Sequence, residues 1–126
     1  MEPVAKGRPR VNIKNQRVRT FTPRKTEVAE SIIRMAILQE YEEPPFPATT
    51  PLKITATFFL AKPKSVNAKR IYPTVKPDLD NFTKTLLDAG NNYLWYDDSQ
   101  IVSAVINKRY GWPPRIELVL EEEDVF

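Results

Sequence analysis

The sequence predicts one small α/β (α+β) domain, a mixed sheet of about three to four strands with two main helices. Three observations carry this. Residues 52–60 alternate Leu52, Ile54, Ala56, Phe58 and Leu60 with Lys53, Thr55, Thr57 and Phe59, as a strand with one buried face does. Residues 22–41 and 80–89 repeat apolar side chains at helical spacing. A chain of 126 residues with 41% hydrophobic content supplies one core and not two, so residues 1–126 read as a single domain.

Residues 1–21 form a basic extended arm. Lys6, Arg8, Arg10, Lys14, Arg17 and Arg19 are interrupted by Pro9 and Gly7, and a short strand fits residues 18–21. These cations suit phosphate contacts, against the alternative of a solubilising terminus. Thr22-Pro23 is a helix start, threonine as N-cap and proline at the first helical position. In the helix to about Tyr41, Val28, Ile32, Met35 and Gln39 make one stripe, widened by Ala29, Ile33, Ala36 and Ile37, which packs against a sheet or a second chain, with core packing the default.

Four prolines make residues 42–51 a connecting loop, and the strand over 52–60 follows. Residues 61–75 form a second loop with Lys62, Lys64, Lys69, Arg70 and Tyr72, a mixture that can grip a nucleic-acid strand. The second helix spans about 80–89, with Leu79, Phe82, Leu86 and Leu87 on its apolar face and Gly90 or Asn91 at a left-handed exit. Residues 101–110 and 115–121 alternate like strands around Gly111-Trp112-Pro113-Pro114 and read as an antiparallel hairpin. Residues 121–126 are an acidic tail, expected to fray.

The chain has neither cysteine nor histidine. Disulfides, zinc fingers and serine- or cysteine-histidine catalysis are therefore excluded. A catalytic site must be built from carboxylates, lysine, arginine, tyrosine and hydroxyls, a set that favours Mg²⁺ or Mn²⁺. The net charge is +3, but residues 1–25 hold eight Lys or Arg against one acid, and residues 62–76 add five more bases and no acid. Two basic regions around an acidic pocket imply a phosphate-rich partner. No apolar run reaches the ~20 residues of a membrane span, and the basic, proline-broken start lacks a signal segment, so the expectation is a cytoplasmic protein with no membrane partner.

The acids converge on one stretch. Lys76-Pro77-Asp78-Leu79-Asp80-Asn81 runs on through Lys84 and Asp88 to Trp95-Tyr96-Asp97-Asp98-Ser99-Gln100. If the backbone stays extended through 78–80, Asp78 and Asp80 share one side and Leu79 faces inward. Asp80, Lys84 and Asp88 then form a polar ridge at four-residue steps. An ordinary salt-bridged helix would explain Lys84 and Asp88, but not the acids before and after it.

The segments Lys76-Pro-Asp-Leu-Asp-Asn-Phe-Thr-Lys, Leu87-Asp-Ala and Trp95-Tyr-Asp-Asp-Ser-Gln-Ile101 together resemble the RusA family of Holliday junction resolvases. Val4-Ala-Lys-Gly-Arg-Pro-Arg10 and Thr20-Phe-Thr-Pro-Arg-Lys-Thr26 resemble it too, so the likeness covers nearly the whole chain. It implies a Mg²⁺-dependent, homodimeric endonuclease, often encoded by phages and prophages, that nicks opposed strands of a four-way DNA junction. It implies that Asp78, Asp80 and Asp98 are the essential acids and metal ligands, that Lys84 supports them, and that Asp97 is an adjacent acid. Asp88 and Asn81 would support the site, and Lys76 would join the DNA contacts. Two departures stand out: the strand that usually precedes Lys-Gly-Arg-Pro-Arg is short or absent, and Asn91-Asn92-Tyr93-Leu94 replaces the usual Asn-Gly turn. Two other readings compete, a non-catalytic nucleic-acid-binding protein and a nuclease of flaps and forks.

Overall fold

In the computed structural model, residues 16–22, 30–76 and 78–123 are described. Alternation along β2 (Leu52–Leu60) is realised with Leu52, Ile54, Ala56 and Phe58 fully buried. Its neighbours are β3 (Ile101–Tyr110), parallel, and β4 (Arg115–Glu122), antiparallel. The fourth strand, β1 (Gln16–Phe21), pairs antiparallel with β4, giving the order β1-β4-β2-β3. Parallel strands cannot be joined by a tight turn, and α2 (Leu79–Gly90) lies in the crossover from β2 to β3. The other helix is α1 (Glu30–Glu40). Among the described residues the mixed four-stranded sheet and two helices agree with the predicted fold class, and no helix is long and apolar enough to cross a membrane.

The predicted hairpin is corrected. β3 and β4 run antiparallel, but β2 lies between them, with Ile54 opposite Leu120 on one side and Ala104 on the other. The linker from Tyr110 to Arg115 passes over the end of β2, where the Gly111 N–H donates to the Leu60 carbonyl at 2.9 Å. A Cβ at Gly111 would sit 2.5 Å from the Phe59 ring, so glycine permits this close crossing. Two strand spacings amount to about 10 Å, and four extended residues reach about 13 Å. Loop length therefore could not distinguish a hairpin from a jump over one strand.

Register puts the core on one face of the sheet. Phe58 lies opposite Ile116, Ala56 opposite Leu118 and Ile54 opposite Leu120, and all six are buried. The helices cover this face. Phe82 of α2 stacks on Phe58 with centroids 4.6 Å apart, and Leu86 and Ala89 are fully buried behind it. From α1 come Ile33, Ala36 and Ile37, and Arg34 donates to the Asp88 carbonyl at 3.3 Å, tying the helices together. Of the stripe predicted through Val28, Ile32, Met35 and Gln39, Met35 (58% exposed) and Gln39 face solvent instead. Among the described side chains the Ile33, Ala36 and Ile37 stripe is the one that packs; Val28, Ala29, the Ile32 side chain and the helix start at Pro23 lie outside what is described.

The acidic tail is partly corrected as well. Glu121 and Glu122 belong to β4, paired with Gln16 and Leu52, and the Glu123 N–H donates to the Pro51 carbonyl. Residues 124–126 lie outside the described residues.

Candidate catalytic cleft and nucleic-acid contacts

Helix α2 begins one residue earlier than its apolar pattern predicts. Asp78 is the N-cap, with φ −69° and ψ 155°, and its carbonyl accepts the N–H groups of Asn81 and Phe82. Leu79 is already helical and 42% exposed, so the predicted extended register through 78–80 is corrected. Residues two apart on a helix diverge by about 200°. Asp80 consequently turns away from Asp78 and joins Lys84 and Asp88 along one ridge.

That ridge forms one wall of a cleft of about 310 Å³, lined by Asp80, Thr83, Lys84, Leu87, Asp88 and Asp98. The Thr83 hydroxyl donates back to the Leu79 carbonyl, so the group is satisfied within the helix. Lys84 is exposed and makes no ion pair with any described carboxylate, although Asp80 and Asp88 are each one turn away. A salt-bridged solvent face is not what this helix shows.

Asp98 reaches the cleft from outside α2, and the route is a tightly held reversal. The Gly90 carbonyl accepts the N–H groups of Tyr93, Leu94 and Trp95, and Trp95 is fully buried against Gly90. A Cβ on Gly90 would lie 2.5 Å from the indole. The Trp95 indole N–H donates to Asn91 Oδ1 at 2.8 Å, and the left-handed residue is Asn92 (φ 72°), not the predicted Gly90 or Asn91. Asparagine is among the few non-glycine residues that adopt this conformation readily.

After this reversal a single 3₁₀ turn, Asp98–Gln100, carries a capping box. The Ser99 N–H donates to Asp97 Oδ2, while Gln100 Oε1 accepts the N–H groups of Tyr96 and Asp97 at 2.8 and 3.2 Å. Hydrogen bonding from the Ser99 side chain, then from its backbone N–H, holds the Asp97 carboxyl below its ordinary value. The cap therefore stays charged through the neutral range and is lost only as pH falls below the usual carboxylate range. Gln100 is buried, and its Nε2 donates to the carbonyls of Pro47 and Thr50 at 2.9 and 3.1 Å. Asp98 is thus fixed from both ends of its turn. Gln100 was not among the predicted site residues, although an acid followed three residues later by glutamine is a capping-box signature.

Of the predicted site residues, Asp80, Lys84, Asp88 and Asp98 come together in the cleft. Asp78 and Asp97 are exposed and lie outside its lining, as does Asn81 in the first turn of α2. Lys64, Lys69, Arg70 and Lys76 are exposed on the loop that leads to Asp78. Lys62 folds back, donating to the carbonyls of Asn67 and Ala68. Lys6, Arg8, Arg10 and Lys14 lie outside the described residues.

Arg17 and Arg19 depart from the expected phosphate contacts. Strand parity places Arg17 opposite Leu120 and Arg19 opposite Leu118, on the covered face. Arg17, only 12% exposed, lies 3.8 Å above the Phe46 ring, donates to the Tyr41 hydroxyl and the Pro44 carbonyl, and pairs with Glu43 at 3.6 Å. Arg19 pairs with Glu43 as well. Both clamp the 41–46 loop to the sheet, and the outward positions of β1 are Gln16, Val18 and Thr20.

A family model described as Endodeoxyribonuclease RusA matches residues 1–121. The chain is also similar to a Bacillus subtilis (strain 168) protein named "Uncharacterized protein YqaN", at 34% identity over 131 aligned positions covering 96% of this chain and 91% of the relative.

Proposed function

Because the chain belongs to the RusA family of endodeoxyribonucleases, hydrolases of DNA phosphodiester bonds, we propose that it resolves four-way DNA junctions by paired symmetrical nicks with Mg²⁺ as cofactor, Mn²⁺ substituting. The observation that supports this is the cleft in which Asp80 and Lys84 from α2 meet Asp98 from a separate, locked turn.

The donor set fits such an ion. All available ligands are oxygens, and the carboxylates of Asp78, Asp80 and Asp98 make no hydrogen bond or ion pair among the described residues. No three described acids are close enough to enclose a cation. Mg²⁺ needs no such cage, since it commonly binds through one or two carboxylates and completes its shell with waters and substrate phosphates. Asp80 and Asp98 would hold it, with Asp78 beside the helix mouth and Asp97 retained as a cap. When bound it would relieve the repulsion between the acids, polarise the scissile phosphate and ease deprotonation of the attacking water.

The chain's own groups do the rest. Lys84 lines the cleft with an ammonium that pairs with no described carboxylate, positioned to offset negative charge developing on the phosphate. Leu87 gives that wall an apolar patch. Asp88 closes the ridge below Lys84. Hydrolysis by water needs no covalent intermediate and, with the 3′ oxygen as the leaving group, would leave 5′-phosphate and 3′-hydroxyl ends. A two-fold homodimer acting in the cytoplasm would match its two clefts to the paired strands of a symmetric junction.

The test is incubation with Mg²⁺ and a labelled four-way junction beside a linear duplex of the same sequence. Symmetrical nicks in the junction alone support the proposal; equal cutting of both substrates would make the chain a nuclease of relaxed preference. In the same assay Lys84→Ala is expected to lower kcat at least tenfold with junction affinity changed less than threefold, since one charge-assisted contact supplies about 1.5–3 kcal/mol. An unchanged rate would remove Lys84 from the chemistry.

A further inference from the structure

A second concavity, of about 410 Å³, lies at the opposite end of β3 from Asp98. Lys62, Arg70, Arg109, Tyr110 and Trp112 line it together with small and apolar residues, and no acid does among the described residues. Its walls are backbone-tied: the Tyr110 N–H donates to the Ile71 carbonyl and the Gly111 N–H to that of Leu60. Trp112 is 76% exposed and Tyr72, near Arg109, is 61% exposed. Arg109 lies near two rings, its guanidinium carbon 5.9 Å from the Tyr72 centroid and 6.0 Å from that of Phe59. Lys62 Nζ lies 5.6 Å from the Tyr110 centroid.

Three cations alone would suit any anion, and exposed rings alone any apolar partner. Both together, lining one concavity, match a nucleotide, whose base offers a π face and whose phosphate offers charge. Duplex DNA hides its base faces in the stack, so the ring selects for an unpaired base. The ten residues of β3 separate this site from Asp98 by roughly 30 Å, too far for the nucleotide being cut. Exposed Lys64, Lys69 and Lys76 lie on the loop between the pocket and Asp78.

We propose that this end of the sheet binds a single-stranded segment of DNA, one unstacked base lying on Trp112 and its flanking phosphates meeting Arg70 and Arg109. The proposal rests on the DNA-cleaving reading and adds a substrate class to it, branched DNA that carries a single-stranded stretch away from the scissile phosphate.

Trp112 and Trp95 are the chain's two tryptophans, and Trp95 is fully buried. Solvent-exposed emission therefore reports Trp112. Titrating the full chain, without divalent cation, with oligothymidylate should quench that emission saturably, and inorganic polyphosphate at equal charge should not. By fluorescence anisotropy of a labelled oligonucleotide, Trp112→Ala should bind at least fivefold more weakly and Trp112→Phe within twofold of wild type. Equal quenching by polyphosphate, or unchanged binding by Trp112→Ala, would overturn the proposal. Absence of Mg²⁺-triggered nicking by the wild-type chain would overturn the cleavage reading instead, and the two results are scored separately.

Discussion

Asp80→Asn is expected to abolish nicking of a four-way junction while junction binding survives or tightens. The substitution keeps size and shape, and the side chain is exposed in the first turn of α2, so the cleft persists. What disappears is a negative donor facing Asp98 across that cleft. Electrophilic stabilisation of a phosphoryl transition state supplies several kcal/mol, and each 1.36 kcal/mol is tenfold, so the rate should fall by at least 10²- to 10³-fold. Binding gains from the change, because a carboxylate repels the phosphate it must approach. Single-turnover cleavage with Mg²⁺ measures the first effect, and mobility shift without Mg²⁺ the second. Normal nicking would move the chemistry out of this cleft altogether. The helix itself should lose only about 0.3–1 kcal/mol from the missing first-turn acid.

Gln100→Ala is the second large effect, and it separates position from fold. One buried amide satisfies two N–H groups and two carbonyls drawn from the 96–97 and 47–50 segments. Truncation leaves them unpaired in a buried site, at an expected cost of about 2–4 kcal/mol read from the denaturant midpoint. The folded fraction should also require several-fold more Mg²⁺ for half-maximal nicking, because Asp98 lies inside the turn that Gln100 closes. Loss of stability with an unchanged Mg²⁺ midpoint would make Gln100 purely structural.

How far the sequence reached depends on the range of the interaction concerned. The buried face of β2 was legible because alternation of period two is local and unambiguous over 52–60. The same local reading failed at Met35, where two helical stripes overlapped and only tertiary packing chose the Ile33 side. It failed at Arg17 because the register of β1 against β4, not the charge, decides which way that guanidinium points. The hairpin failed because a strand from some fifty residues upstream occupies the expected gap. For the cleft, the spacing of Asp80, Lys84 and Asp88 located one wall from the sequence. Placing Asp98 on it rested on family resemblance, since the reversal around Gly90 and Trp95 has no periodic signature.

The order β1-β4-β2-β3 also governs how the chain acquires its structure. β4, the last strand in sequence, fills an interior position, and its partner on one side begins at Gln16, which faces Glu121. Contacts of such separation carry a high loop-closure cost before any pairing offsets it, which places the domain among slower folders, in the millisecond-to-second range rather than microseconds. During synthesis β2, α2 and β3 emerge as one parallel unit while the seat of β4 stands open. Until β4 is made, β2 presents a bare hydrogen-bonding edge, so the nascent chain is most exposed to strand-on-strand misassociation in the interval before its final strand arrives.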